Sequence, residues 1–414
     1  MTTTVTTPRR AGRHTPVLVG LLVAVYAVAI ALHVWYGNRH HFYDLRIYVA
    51  AMHWWDSGHD LYSFVLPDKI QGQLGYTYPP FAALLMLPLA WVPLGVAEAI
   101  YVTLTVAALA VTTYWLVAPL ARRHGWPLWF VFPLALALVS WLEPIRETVT
   151  YGQVNLILVL LILADLLVGV PRKARWTGVG IGLAAAIKMT PAIFIIYLLV
   201  TRRWRAAATA TATALAATLL AAAVAPRESW RFWTGAVWDT ARVGHLERVA
   251  NQSVMGTLAR LGTTNRVLWA VLVLAVLGYG LWRARRAALA GDELTGLTLT
   301  GLAGSLCSPV TWTHHVYWFV PALVVLVDAG ARSWRWLAVL VYVTTAFSIP
   351  MWFEWGLSEA RFGHGLAGFL ITNWYVLLML ALLVALPAAS RRTAATRRTA
   401  SPAGTAPSPG SAGR

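Results

Sequence analysis

Residues 17–36 read VLVGLLVAVYAVAIALHVWY, twenty consecutive positions without an Asp, Glu, Lys or Arg. At a helical rise of 1.5 Å per residue, about twenty residues span the roughly 30 Å hydrocarbon core of a bilayer. The run follows a basic front of Arg9, Arg10 and Arg13. It is too long for a signal-peptide core and has no small-x-small exit, so it reads as a retained first span. Directly after it stands HHFYDLRIYVAA, residues 40–51. An acid, Asp44, therefore sits just past the first span, among aromatics and beside Arg46. It reads as a solvated loop charge, as a salt-bridge partner, or as the base of a site that opens at the membrane surface.

The composition extends the membrane reading to the whole chain. Of 414 residues, 58% are hydrophobic and 12% charged, with a mean hydropathy of +0.62. Soluble domains carry about 25% charged residues. Further apolar runs fall near 79–91, 96–120, 127–142, 155–170, 176–187, 191–201, 206–225, 267–282, 295–307, 316–330, 335–350 and 373–389. Their length and unbroken polarity predict helices, not the alternating strands of a barrel. The net charge of +17 would suggest nucleic acid in a soluble protein. Here the basic residues cluster in short connections, as membrane topology requires, and no nucleic-acid partner is expected. One cysteine, Cys307, excludes an intramolecular disulfide and a multi-cysteine metal site.

The connections alternate in character. ARRHGW (121–126), PRKARW (171–176), TRRWR (201–205), RARR (283–286), ARSWR (331–335) and RRTAATRR (391–398) are basic, and with the N-terminus they predict the cytoplasmic side. The segments 37–78, 143–154, 226–266, 308–315 and 351–372 hold 11 of the 16 acids. Thirteen runs cannot join two cytoplasmic termini, so one must fail to cross. The proline-bounded run 79–91 is the candidate for a re-entrant piece, leaving about twelve spans with short loop helices on the outer face. The runs 176–187 and 191–201 meet at KMTP and predict a broken pair that turns on the outer side. Three segments result: residues 1–16 as a cytoplasmic start, 17–389 as the membrane unit, and 390–414 as a disordered cytoplasmic tail.

The outer segments carry the candidate chemistry. In YTYPPFAALL (76–85), Tyr76 and Tyr78 suit stacking on a sugar or anchoring, and two prolines fix the entry of the next helix. WLEPIRETVTYGQVN (141–155) offers Glu143, Arg146, Glu147, Gln153 and Asn155. Its paired carboxylates suit acid–base work, Arg146 suits a phosphate, and the same residues suit an internal ion-pair cluster. Lys188 ends an apolar helix away from the basic connections, where a cation needs a cavity, a partner or the interface; a phosphate is a natural partner. CSPVTWTHHVYW (307–318) brings His314 and His315, hydrogen-bond donors for a phosphate or sugar, with Trp312 beside them for substrate contact. Adjacent helical positions diverge, so one histidine is expected to face the site. No third ligand has metal spacing, so no metal site is expected. Asn251 in NQSVMG (251–256) reads as a polar loop residue in contact with substrate.

Four stretches taken in order, DLRIY, YTYPPF, KMTP and SPVTWTHH, resemble the polyprenyl-phosphate-mannose-dependent mannosyltransferases of glycosyltransferase family 87, of the integral-membrane GT-C class. The resemblance covers about residues 15–390, and within the family it is nearest to the actinobacterial enzymes that act on phosphatidylinositol mannosides. It implies an all-α polytopic GT-C-type bundle in the plasma membrane with its site facing the periplasm. It also implies a polyprenyl-phosphate-mannose donor, a phosphatidylinositol mannoside acceptor and no cofactor. Asp44 matches the family's catalytic base, and inversion by an acceptor 2-OH would give an α-1,2 linkage. Lys188, His314, His315 and Arg146 are then expected at the donor phosphate. The expected substrate-contacting residues are Arg46, Tyr76, Tyr78, Glu143, Gln153, Asn155, Asn251 and Trp312. Other acceptors or sugar donors of the same family, and a lipid-linked-sugar transporter, remain open; the lack of an internal repeat weighs against transport.

Overall fold

A computed structural model describes residues 15–68, 72–353 and 365–388. The reading of 390–414 as a disordered tail, and the acids Glu354 and Glu359, lie outside the described residues. The chain begins with α1 (Thr15–Tyr36) and α2 (Tyr43–Asp56), then a two-stranded antiparallel hairpin, β1 (Val65–Asp68) and β2 (Gly72–Gly75). Next come α3 (Pro80–Met86), α4 (Leu94–His124), α5 (Leu128–Ser140), α6 (Glu143–Tyr151), α7 (Asn155–Leu163), α8 (Val179–Ile187) and α9 (Ile193–Val200). They are followed by α10 (Trp204–Val224), α11 (Pro226–Thr234), α12 (Val254–Arg260), α13 (Arg266–Leu289) and α14 (Glu293–Cys307). The chain closes with α15 (Phe319–Ala329), α16 (Arg332–Ala346), α17 (Gly365–Thr372) and α18 (Trp374–Ala385).

Among the described residues α1, α4, α10 and α13 are each long and apolar enough to cross a bilayer. The pairs α5–α6 and α17–α18, bent by 67° and 68°, raise the count to six. Length alone therefore supports fewer crossings than the twelve expected. Other apolar runs form shorter helices, among them Asn155–Gly169, Thr190–Val200 and Phe319–Ala329. The run 79–91 is one of these: α3 opens on Pro79–Pro80 and passes into a 3-10 turn at Leu87–Trp91, with Phe81, Ala82, Ala83 and Met86 buried. α1 buries only Tyr36 and otherwise presents apolar side chains outward, as a lipid-facing helix must.

The basic connections meet at one pole. Arg205 donates to the carbonyls of Lys173 and Ala174, both at 3.0 Å, and Arg285 donates to Val200 O at 2.8 Å. Arg203 pairs with Glu293, and Arg123 with Asp328 at 3.0 Å. Arg205, in the first turn of α10 just past the end of α9, holds the residues ahead of α8 beside that end, so α8 and α9 form a hairpin whose tip, Lys188–Met189, points to the opposite pole, as the KMTP break predicts. Small residues let α8 lie close to α10: a Cβ on Gly182 would stand 2.5 Å from Ala210 O. Asp165, wholly buried in the π-helical continuation of α7, accepts the backbone N–H of Ile181 at 2.7 Å. It caps the α8 N-terminus, which favours an anion.

The polar segments fill the other pole. A 3-10 turn at Leu61–Ser63, capped by Asp60, leads into the β1–β2 hairpin, which the sequence did not signal. The stretch Asn251–Gln252–Ser253 is a structural lock. Asn251 is wholly buried and spends its amide on Leu246 O, Pro309 O and the N–H of Thr311. Gln252 donates to Val249 O and Thr372 O and accepts from the N–H groups of Tyr375 and Val376. Gln252→Leu strands those four backbone groups, each at a cost of about 1–3 kcal/mol when buried. Thermal unfolding in detergent should show a marked loss of stability. Arg46→Ala, which breaks only an exposed pair with Glu98, should shift it by less than about 1 kcal/mol.

Candidate active site

The site is built where α1 hands over to α2. Two consecutive non-glycine residues, His41 (φ 50°) and Phe42 (φ 54°), take the left-handed conformation, a strain of order 1–3 kcal/mol each. α6 holds them there. The N–H of Phe42 donates to Thr150 O at 2.9 Å. The His40 ring stacks on Tyr151 with centroids 3.8 Å apart, and its Nε2 lies 2.5 Å from Glu147. Glu147 also accepts the Tyr36 hydroxyl. The tight turn places Asp44 in the first turn of α2, beside the end of α6 at Gly152 (φ 76°). A Cβ on Gly152 would stand 2.5 Å from the Cβ of Leu45; the glycine is required for both reasons.

From Gly152 the chain delivers Gln153 to Asp44. Gln153 Nε2 donates to Asp44 Oδ2 at 2.5 Å, and its Oε1 accepts the Tyr78 hydroxyl at 2.9 Å. Tyr78 in turn accepts from Tyr48 at 3.1 Å and from Lys188 Nζ at 3.4 Å. An unbroken line of side-chain hydrogen bonds, Lys188–Tyr78–Gln153–Asp44, thus joins the tip of the α8–α9 hairpin to the start of α2. Lys188 also reaches Asn155 Oδ1 and His315 Nε2, both at 3.1 Å. Burial raises the Asp44 carboxyl to about 6, although Gln153, Lys188 and His40 pull it down. Burial also lowers Lys188 to about 8, with Asp44 opposing the shift. His315 stays neutral, held far below its usual range by burial and by the neighbouring Lys188 and His314.

These groups face a cavity of about 700 Å³, within the range of small-molecule sites. Asp44, Tyr78, Gln153 and Lys188 line it, as do both histidines, Trp312 and Glu143. The expectation of one inward histidine is therefore corrected. Residues 313–315 form a 3-10 turn, not an α-helix, and the two rings stand edge to face with centroids 4.5 Å apart. Only His315 touches Lys188.

Other expected contacts are placed elsewhere. Arg46 is exposed, 3.5 Å from Glu98, because it sits on the outer side of α2. Tyr76 is wholly buried among Tyr48, Tyr62 and Tyr78. Asn251 is the buried lock already described. Asn155 lines a smaller crevice behind Lys188 and anchors the histidine turn through His314 O. Arg146 reaches the wall of the cavity, but its guanidinium donates to Trp141 O, Ala346 O and Ser348 and lies over the rings of Tyr36 and Trp141. Glu143 accepts the Tyr375 hydroxyl. The α6 charges thus form an internal cluster, the bland alternative for that stretch. His40 and Tyr48 were missed. His40 stands four residues before Asp44, a visible spacing that singles out nothing without the fold. Among the described residues no group of three His, Cys, Asp or Glu side chains is placed to hold a metal.

Comparison with known proteins follows the same lines. The family model of Glycosyltransferase family 87 matches residues 76–309. A polyprenol-phosphate-mannose-dependent alpha-(1-2)-phosphatidylinositol mannoside mannosyltransferase of Mycobacterium tuberculosis is 33% identical over 347 residues, 79% of each chain. Its counterpart from Mycolicibacterium smegmatis is 33% identical over 74% of each chain. A polyprenol-phosphate-mannose-dependent alpha-(1-2)-phosphatidylinositol pentamannoside mannosyltransferase of Mycobacterium tuberculosis is 34% identical over 84% of this chain and 80% of the relative. No solved structure matches the chain. The chain belongs to glycosyltransferase family 87, a family of membrane glycosyltransferases.

Proposed function

We propose that this protein transfers mannose from a polyprenyl-phosphate-mannose to a phosphatidylinositol mannoside, inverting at the anomeric carbon to give an α-1,2 linkage. The observation that carries the reading is the hydrogen-bonded line from Lys188 to Asp44 along one cavity. It puts a carboxylate suited to take a proton within one site of a cation suited to hold a phosphate. Asp44 removes the proton of the acceptor 2-OH. The oxygen attacks C1 of the donor from the face opposite the phosphate, and polyprenyl phosphate departs with the electron pair. Lys188 and the His315 Nε2–H stabilise the charge that develops on the leaving oxygen. Tyr78 and Gln153 position these two groups, and Trp312 offers a flat face to a sugar. Glu143, Glu147 and Arg146 brace the wall.

Topology completes the proposal. The pole of paired arginines faces the cytoplasm and the cavity faces the periplasm, supported by the positive-inside distribution of charge. Residues 17–389 form the catalytic unit, and 1–16 and 390–414 are cytoplasmic extensions.

Three outcomes test this reading. In a Cys307→Ala background, a membrane-impermeant maleimide should label Ser57→Cys in intact cells and leave Lys173→Cys unlabelled; the reverse pattern contradicts the orientation. Asp44→Asn should lower kcat by about 10²–10⁴, the contribution of a positioned base, in membranes given polyprenyl-phosphate-mannose and phosphatidylinositol mannoside. Near-normal transfer would remove Asp44 from the mechanism, and loss of activity in EDTA restored by manganese would bring in a metal. The base works ionised, so kcat/KM should fall below pH about 6. Gln153→Ala removes a hydrogen bond that lowers the Asp44 pKa, so this acid limb should move to higher pH; an unmoved limb would detach Gln153 from the base.

A further inference from the structure

His315 has a tautomer fixed by its own turn. Its Nδ1 accepts the backbone N–H of Trp312 at 3.2 Å, so the single proton of the neutral ring sits on Nε2. That Nε2–H points at Lys188 Nζ, 3.1 Å away. An ammonium has three donors and no acceptor. Two donors facing each other at hydrogen-bond distance do not make a bond. The contact closes in two ways: Lys188 is an amine and accepts the Nε2–H, or an anionic oxygen enters and takes both donors. The remaining neighbours of Nζ suit the amine as well as the ammonium, since Asn155 Oδ1 at 3.1 Å and Tyr78 Oη at 3.4 Å both accept. The titratable groups that face Lys188 are Asp44 on α2, Tyr78 ahead of α3, and His314 and His315 on the turn before α15. Asp44 is the one anion among them, and Tyr78 and Gln153 intervene.

We propose that Lys188 is a proton carrier for the leaving group: an ammonium while it holds the donor phosphate, the acid that protonates the departing phosphate, and an amine bonded to His315 as the product leaves. The proposal rests on the phosphate role of Lys188 given above. The steps balance. Lys188 takes one proton from solvent before or as the phosphodiester monoanion binds. The acceptor hydroxyl then loses its proton to Asp44 as its oxygen bonds to C1. The C1–O bond to phosphorus breaks with its electron pair on oxygen, giving a phosphate monoester dianion between Nζ and His315 Nε2. Lys188 passes its proton to that dianion, the monoanion leaves, and the amine accepts from His315. Asp44 returns the acceptor's proton to solvent.

The test is the pH dependence of the donor KM in purified enzyme, for wild type, Lys188→Arg and Lys188→Ala. For the wild type, the donor KM should rise about tenfold per pH unit above the Lys188 pKa, near pH 8. An arginine stays charged, so the donor KM of Lys188→Arg should stay flat to pH 10 whatever its absolute value. Lys188→Ala should raise the donor KM at every pH. A wild-type KM flat from pH 7 to 10 overturns the proton-carrier proposal while leaving the phosphate role intact. A donor KM unchanged in Lys188→Ala overturns the phosphate role itself. A rise with pH that persists in Lys188→Arg assigns the titration to another group and also overturns the proposal.

Discussion

The structure is organised by the cost of putting a lysine in a buried position. A cation away from bulk water needs acceptors, and Lys188 has neutral ones in Asn155 and Tyr78, with its counter-charge two side chains away. A direct ion pair with Asp44 would quench both groups, leaving no base and no phosphate ligand. Tyr78 and Gln153 prevent this. They pass a hydrogen bond from one to the other and keep the carboxylate and the amine separately available in one cavity.

Each member of that line is held from behind. Tyr48 fixes the Tyr78 hydroxyl, Gly152 sets the position of Gln153 against Leu45, and Asn155 ties Lys188 to the histidine turn. The strained turn at His41–Phe42 persists because Glu147, Thr150 and Tyr151 bind it to α6. α6 is itself anchored by the Arg146 guanidinium, which bridges to the carbonyl of Ala346 and to Ser348. The charged residues of α6 therefore act at one remove. They spend their charge on the frame, and the frame aims the two groups that face the cavity.

The sequence carried much of the fold. Apolar run lengths located α1, α4, α10 and α13, and the two prolines marked the start of α3. The alternation of basic and acidic connections sorted the two poles that the arginine contacts display. Run length did not separate full spans from shorter helices, because an apolar stretch of twelve residues looks alike in both. Of the site, Asp44, Lys188 and His315 were legible, since charged or polar groups next to apolar runs need a reason to be there. Gln153 and Asn155 were visible as polar residues, but not as positioning groups, because their partners lie 33 to 159 residues away in sequence. Arg46 and Asn251 misled for the converse reason. Each stands in a motif, and only the direction of the side chain shows that one faces outward and the other is consumed by backbone.

The mechanism turns on which carboxylate meets the acceptor. The direct measurement is a structure of the enzyme with an unreactive donor analogue and a phosphatidylinositol mannoside bound together. The predicted result places the acceptor hydroxyl within about 3.2 Å of Asp44 and a donor phosphate oxygen between Lys188 Nζ and His315 Nε2. An acceptor hydroxyl seated on Glu143 or Glu147, with Asp44 still bound to Gln153 and out of reach, would contradict it.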